Sequence, residues 1–164
     1  MSEQVVPDPI EFAQGRKCLE GEIALRKLER LRESLASNDG AVHFKLTGFV
    51  DAGASPGLRC EVQASLKILC QRCLEPMEYR LQIDNVLMLV RDEPDALSVD
   101  DPEAPDYIRL QRDLPVAALV EEEILLALPM APHHAENVCK GRPAADVGKL
   151  HPFAALARLK TTKE

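Results

Sequence analysis

The sequence predicts an α+β fold, in which an antiparallel sheet is built on one long hairpin and covered by helices. Apolar alternation across residues 58–90 predicts the hairpin, and residues 43–51 read as a further strand. A helical pattern over 113–128 supplies the cover. The chain has 164 residues, which fits a single domain over 1–164. Because one face of the hairpin is apolar along its length, the sheet could also curl towards a barrel.

The hairpin is predicted from two runs of alternating side chains. Every even position from Cys60 to Cys70 is apolar, and the odd positions 61–67 are polar, which is the period of a half-buried strand. The second run alternates on odd numbers from Met77 and then shifts at Asp84 and Asn85, which predicts a bulge there. Residues 70–76 form the connection between the two strands.

The helix predicted after the hairpin has signals at both ends. Asp113 can cap it, Pro115 is tolerated in its first turn, and Pro129 stops it. Its many apolar positions predict a largely buried helix. We interpret the three consecutive acids, Glu121 to Glu123, as its solvated side.

Helical patterns also occur before the sheet. Residues 7–14 suggest a short helix or an irregular arm. Leucines at helical spacing predict a second helix over 19–36, although 21–24 could instead be extended.

Charge is distributed unevenly along the chain. The net charge is −7, and residues 92–106 contain seven acids, three prolines and no Lys or Arg, which predicts a mobile acidic loop. Without that segment acids and bases balance. Residues 140–164 form a basic C-terminal tail. This distribution argues against a protein that coats nucleic acid non-specifically, because such a protein needs a basic face.

The sequence predicts a cytoplasmic protein. It shows no secretory signal and no apolar run as long as a membrane span. Its five cysteines are therefore expected to be free of disulfides, and a C-x-x-C motif in that setting indicates a metal or redox element.

The motif at Cys70 and Cys73 could form half of a tetrahedral zinc site. Cys139, with His133 or His134, could supply the other ligands. We choose His134, so the candidate ligands are Cys70, Cys73, His134 and Cys139. The alternative is a metal-free turn, which we prefer because a second C-x-x-C is missing, so no cofactor is expected. A thioredoxin-like role fits less well, because a strand follows the motif where that role needs a helix.

The chain carries no recognisable catalytic motif for phosphate, acyl or metal-assisted chemistry, so we expect that it is not an enzyme and has no small-molecule substrate. Some basic residues could instead contact RNA or another partner, although a solvated tip and tail explain them equally well. These candidates are Arg72, Lys140, Arg142 and Lys160.

Three blocks carry a resemblance to a known family. CQRCLEP at 70–76, VEEEILLALP at 120–129 and PFAALARLK at 152–160 resemble the YceD family, in its proteobacterial branch. The resemblance implies a cytoplasmic, non-catalytic role in producing large-subunit ribosomal RNA. Many relatives carry several more cysteines after the Leu-Pro, which would complete a zinc site. Here only Cys139 follows, beside His133 and His134, and that departure puts the metal in doubt.

The function hypothesis is an accessory factor for the synthesis, processing or accumulation of large-subunit ribosomal RNA. Its expected partner is that RNA, a large-subunit ribosomal protein or a precursor particle, and no membrane. Two alternatives remain open: a zinc- or thiol-dependent enzyme, and an adaptor that binds a large-subunit ribosomal protein without touching RNA.

Overall fold

A computed structural model describes residues 4–90, 106–109, 113–135 and 138–139. The predicted α+β class is confirmed: a five-stranded sheet carries short helices and one longer helix. The strands of the main sheet are β2 (Cys18–Ala24), β3 (Ala41–Val50), β4 (Pro56–Leu69), β5 (Pro76–Val90) and β6 (Asp106–Arg109). A small second sheet pairs β1 (Val5–Val6) with β7 (Leu114–Pro115). The helices are α1 (Pro9–Gln14), α2 (Glu29–Arg32) and α3 (Val116–Ala127), and a 3-10 turn spans Leu25–Lys27.

The β4–β5 hairpin is continuous along its whole paired length. Thirteen residue pairs follow one register from Leu69 opposite Pro76 to Gly57 opposite Met88, so the predicted bulge is wrong. Asn85 lies opposite the buried Cys60 and takes the inward position, whereas Val86 is exposed. A polar residue on the inward face, and not an inserted one, therefore interrupts the apolar alternation.

The main sheet is mixed and open. Strands β2 to β5 are antiparallel neighbours, and β6 joins β5 in parallel. Within the described ranges β2 and β6 are the two edges of this sheet, so the predicted curl into a barrel is not found. The predicted acidic loop lies outside the described residues except for Asp106, which begins β6, and so does the basic tail.

The helix predicted over 19–36 is wrong for most of its length. Residues 18–24 form β2, as the extended alternative had it, and only Glu29–Arg32 is α-helical. The helix-spaced leucines Leu25, Leu28 and Leu31 are nevertheless fully buried. Tertiary burial of these side chains therefore does not require the regular helix that their spacing suggests.

Helix α3 covers the inward face of the sheet, with Val116, Val120 and Ile124 fully buried. It begins at Val116 and not at Asp113, because residues 114–115 pair with β1. Pro129 follows its last turn, as expected. No helix in the described parts of the chain is long and apolar enough to cross a membrane.

The three consecutive acids of α3 do not form a solvated side. Glu121 and Glu123 are only 8% and 6% exposed. The Glu121 carboxylate accepts a hydrogen bond from the Leu31 N–H at 3.0 Å, and that of Glu123 accepts one from the Asn85 side chain at 3.0 Å. Burial raises the pKa of Glu123 above its usual value against the lowering effect of Asn85. Buried carboxylates thus link α3 to α2 and to the hairpin.

Helix α1 packs directly on β3 at Gly48. A Cβ built at this glycine would lie 2.6 Å from the Phe12 carbonyl oxygen and 2.7 Å from the Ala13 Cα. These neighbours are backbone atoms, so they cannot give way by a side-chain rotation. The close approach therefore requires glycine.

Gly48→Ala should destabilise the fold by about 1–3 kcal/mol, because α1 must move away from β3 to admit the methyl group. Urea unfolding measures the change. Gly53→Ala is the matched control, since a Cβ there would meet only the Asp51 side chain, at 3.4 Å and beyond. Equal unfolding midpoints for the two variants would contradict this account of the α1 contact.

Glu123→Gln should stabilise the protein at neutral pH and lose that advantage as the pH falls towards 4. The raised pKa means that the folded state binds the carboxyl proton more tightly than the unfolded chain does. Ionising Glu123 therefore costs stability as the pH rises through its folded pKa, and glutamine, which still accepts from Asn85, avoids that cost. Urea titrations across this pH range, with exposed Glu122→Gln as control, measure the difference. A pH-independent difference would argue against the buried ionisation.

Candidate metal centre

The tip of the hairpin is a tight turn closed by its own backbone. The Cys70 N–H donates to the Glu75 carbonyl at 3.0 Å, and the Leu74 N–H donates to the Cys70 carbonyl at 2.8 Å. Leu74 adopts a left-handed conformation with a φ of 62°. Cys70 continues the inward alternation of β4 and is fully buried, while Cys73 is half-buried. The turn therefore presents both cysteines of the C-x-x-C motif beside the inward face.

The segment after α3 folds back onto this turn. Its Pro132 carbonyl accepts a hydrogen bond from the Gln71 N–H at 2.8 Å. Farther along, the N–H groups of Val138 and Cys139 both donate to the Ala135 carbonyl, at 3.0 and 3.2 Å. The bond from Gln71 places the segment next to the C-x-x-C motif, and the two bonds to Ala135 form a turn within the segment.

Four potential ligands meet at this junction: Cys70, Cys73, His134 and Cys139. Their ligand atoms all lie within 4.8 Å of one another. The sulfurs of Cys70 and Cys139 are 3.8 Å apart, and the Cys73 sulfur is 3.4 Å from the His134 Nδ1. These are the four residues of the candidate set. His133 is exposed, and its Nδ1 lies 3.2 Å from the His134 carbonyl oxygen.

The distances fit a tetrahedral zinc ion. Zinc–sulfur bonds of about 2.3 Å at tetrahedral angles separate two sulfurs by about 3.8 Å, and a zinc–nitrogen bond of about 2.0 Å gives a sulfur–nitrogen separation of about 3.5 Å. Three thiolates with one imidazole are a donor set of structural zinc sites. His134 and Cys139 thus lie where a second C-x-x-C would otherwise contribute its ligands, so four donors meet without that second motif.

The cluster also makes its thiols electrostatically unequal. Burial opposes ionisation of Cys70, but hydrogen bonds from the backbone of Cys73, His134 and Arg72 outweigh it and lower the pKa of Cys70 to about 5. The Glu75 backbone lowers the pKa of Cys73, yet burial, hydrogen bonds with Cys70 and Cys139 and the charge of Cys139 raise it overall. Thiolates this close repel one another, and a divalent cation would relieve that repulsion.

The other two cysteines lie outside the cluster. Cys60 is buried in the core of β4, where burial, followed by the charges of Glu123 and Glu61, raises the pKa of its thiol to about 12. Cys18 is exposed on β2, with its sulfur 3.8 Å from the Thr47 hydroxyl. Neither the high pKa of the first nor the position of the second suits a metal ligand.

Arg72 contacts the cluster, which the sequence did not predict. Its Nε donates to the Cys139 sulfur at 3.0 Å, and this hydrogen bond raises the pKa of the guanidinium. The only signal in the sequence was its position between the two motif cysteines. Arg72 as an RNA contact stays a prediction. The other candidate contacts, Lys140, Arg142 and Lys160, lie outside the described residues.

The outward face of the sheet pairs several of its cations with acids. The Arg59 guanidinium binds Asp84 through two hydrogen bonds of 2.7 and 2.6 Å. Two cross-strand neighbours add longer ion pairs, Lys45 with Glu61 at 3.7 Å and His43, when protonated, with Glu22 at 3.9 Å. Cations neutralised in this way are less available to phosphate groups.

Comparison with known proteins agrees with the resemblance seen in the sequence. Residues 58–160 match the family model described as "Large ribosomal RNA subunit accumulation protein YceD". A protein of that name from Haemophilus influenzae is 30% identical over an alignment of 162 positions, and the alignment covers 93% of each chain. No solved structure matches this chain. On the match of the family model, and on the identity over nearly the full length, the chain belongs to the YceD family.

Proposed function

We propose that this chain is a non-catalytic accessory factor that supports the accumulation of large-subunit ribosomal RNA in the cytoplasm. One observation carries the proposal: the relative named for this role aligns along 93% of both chains. The matched family region contains α3, all four residues of the cluster and the β4–β5 hairpin except its first two residues. The proposed role is therefore assigned to the same hairpin, helix and cluster.

The cluster supports binding over catalysis. A catalytic zinc site has three protein ligands and keeps its fourth position for water or substrate, whereas a structural site has four. The chain offers three sulfurs and one nitrogen within 4.8 Å, a full tetrahedral set. This donor set favours the accessory factor over the zinc-dependent enzyme.

We also propose that Cys70, Cys73, His134 and Cys139 bind one zinc ion. The bound ion would hold the segment after α3 against the hairpin tip, where the hydrogen bond from Gln71 to the Pro132 carbonyl already joins them. Cysteine binds zinc as the thiolate, so binding would release the thiol protons and hold the three cysteines in their deprotonated form. The proposed metal is a structural element and takes part in no reaction.

The ion pairs on the outward face favour one of the two binding modes. A surface that reads RNA presents cations to phosphates, but the charge of the Arg59 guanidinium is paired with that of Asp84 through two hydrogen bonds. This observation supports the adaptor, which binds a large-subunit ribosomal protein and not the RNA itself, as the second candidate.

The tagged full-length chain should sediment with large-subunit precursor particles from cell extracts. Nuclease treatment separates the two modes: an RNA-bound factor is released with the digested RNA, whereas an adaptor remains with its ribosomal protein. Depletion of the chain should lower large-subunit ribosomal RNA relative to small-subunit RNA. Normal ribosomal RNA levels after depletion, together with no sedimentation on particles, would refute the proposed function.

Protein purified without a His-tag should contain about one zinc ion per chain by elemental analysis. Cys139→Ser and Cys70→Ser should each release the metal and lower the urea unfolding midpoint. The reason is that the metal no longer links the hairpin tip to the segment after α3. Cys18→Ser is the matched control and should keep the metal, since that thiol lies outside the cluster. Metal-free wild-type protein with a silent Cys139→Ser change would favour the metal-free turn.

A further inference from the structure

We propose that Arg72 is a positioning residue of the metal centre, which holds the Cys139 thiolate in place and balances the charge of the site. This inference rests on the proposed zinc site. Arg72 is itself no ligand, and it lies between the two motif cysteines while contacting the ligand most distant from them in the sequence.

The geometry of the contact suits this role. The Arg72 Nε lies 3.0 Å from the Cys139 sulfur, and the Cys70 sulfur lies 3.8 Å from that same atom. Arg72 is exposed, so its guanidinium approaches Cys139 from the solvent side while Cys70 faces it within the cluster. A hydrogen bond from a charged donor to a thiolate fixes the orientation of the sulfur and leaves its remaining lone pairs free for a metal.

Charge supports the same assignment. A zinc ion with three thiolates and one neutral imidazole carries a single net negative charge, and an arginine guanidinium carries the opposite charge. The Arg72 Nε lies 3.0 Å from one of the three sulfurs, so this positive charge is directly beside the proposed site. With zinc bound, the site including Arg72 would therefore be electrically neutral.

The hydrogen bond from Arg72 also helps to position Cys139, the fourth ligand. Cys139 follows α3 in the chain, and its own N–H is bonded locally to the Ala135 carbonyl. The bond from Arg72 ties this residue across the chain to the hairpin tip, 67 positions earlier in the sequence. Ligands held in position before binding lose less conformational entropy when the metal arrives, and the metal binds more tightly.

Cobalt(II) titration of the metal-free full-length protein tests this role. Thiolate-to-cobalt charge-transfer and d–d absorption report the ligand set, and zinc competition gives the affinity. Arg72→Gln should keep the tetrahedral spectrum but weaken metal binding about tenfold or more, the range for loss of outer-shell partners. Arg72→Lys should lose less, because it retains the charge but not the planar guanidinium. Arg80→Gln removes an exposed arginine on β5 and should match wild type.

The outcomes separate this inference from the metal centre beneath it. If the wild-type chain shows the thiolate bands and Arg72→Gln binds the metal with equal affinity, the proposed role of Arg72 is contradicted. The proposed metal centre is then still supported. A wild-type chain without those bands would overturn both. If far-UV circular dichroism shows that Arg72→Gln does not fold, Arg72→Lys carries the test. A severalfold weaker affinity is then expected, and an unchanged affinity would overturn the role.

Discussion

The unbroken pairing of β4 with β5 is the constraint on which the rest of the structure depends. Thirteen residue pairs share one register, and a shift by one residue would turn every inward side chain of β4 towards solvent. The register that buries Cys60 and Leu66 in the core also buries Cys70, which follows the last residue of β4 at the hairpin tip. Core packing and the position of the first potential ligand are thus fixed by the same hydrogen-bonded ladder.

The second half of the site depends on where α3 lies. Burial of apolar side chains stabilises the packing of this helix on the sheet, but the hydrophobic effect is non-directional. Directional contacts come from two carboxylates, Glu121 to the Leu31 N–H and Glu123 to the Asn85 amide. Desolvating these groups is costly, so they favour the one arrangement in which both are hydrogen-bonded. With α3 held in that arrangement, the chain beyond Pro129 emerges near the tip, where the Pro132 carbonyl meets Gln71.

Patterns in the sequence predict the parts of this fold that obey a local period. The strand through Cys60 and Cys70 follows from strict alternation, and the candidate ligand set follows from residue chemistry together with the order of elements. The bulge predicted at Asn85 fails because a period records which residues are apolar, and it cannot show that a polar side chain is satisfied by Glu123, 38 positions later. The prediction of a solvated acidic side of α3 fails for the same reason, because the pattern cannot show that Glu121 accepts a hydrogen bond from the Leu31 N–H. The contact of Arg72 with Cys139 could not be predicted, because it depends on the return of the chain after α3.

This chain has His134 and Cys139 in place of a second C-x-x-C motif, and this difference has a physical consequence. A tetrahedral site specifies distances and donor chemistry, and an imidazole meets both as well as a thiolate does. Replacing one of four thiolates by a neutral imidazole also lowers the net negative charge of a zinc site from two units to one. A single arginine would balance only one of two negative charges, whereas it balances the single negative charge of the proposed site. With His134 in the ligand set, the single bond from Arg72 to Cys139 is enough to leave the proposed site neutral.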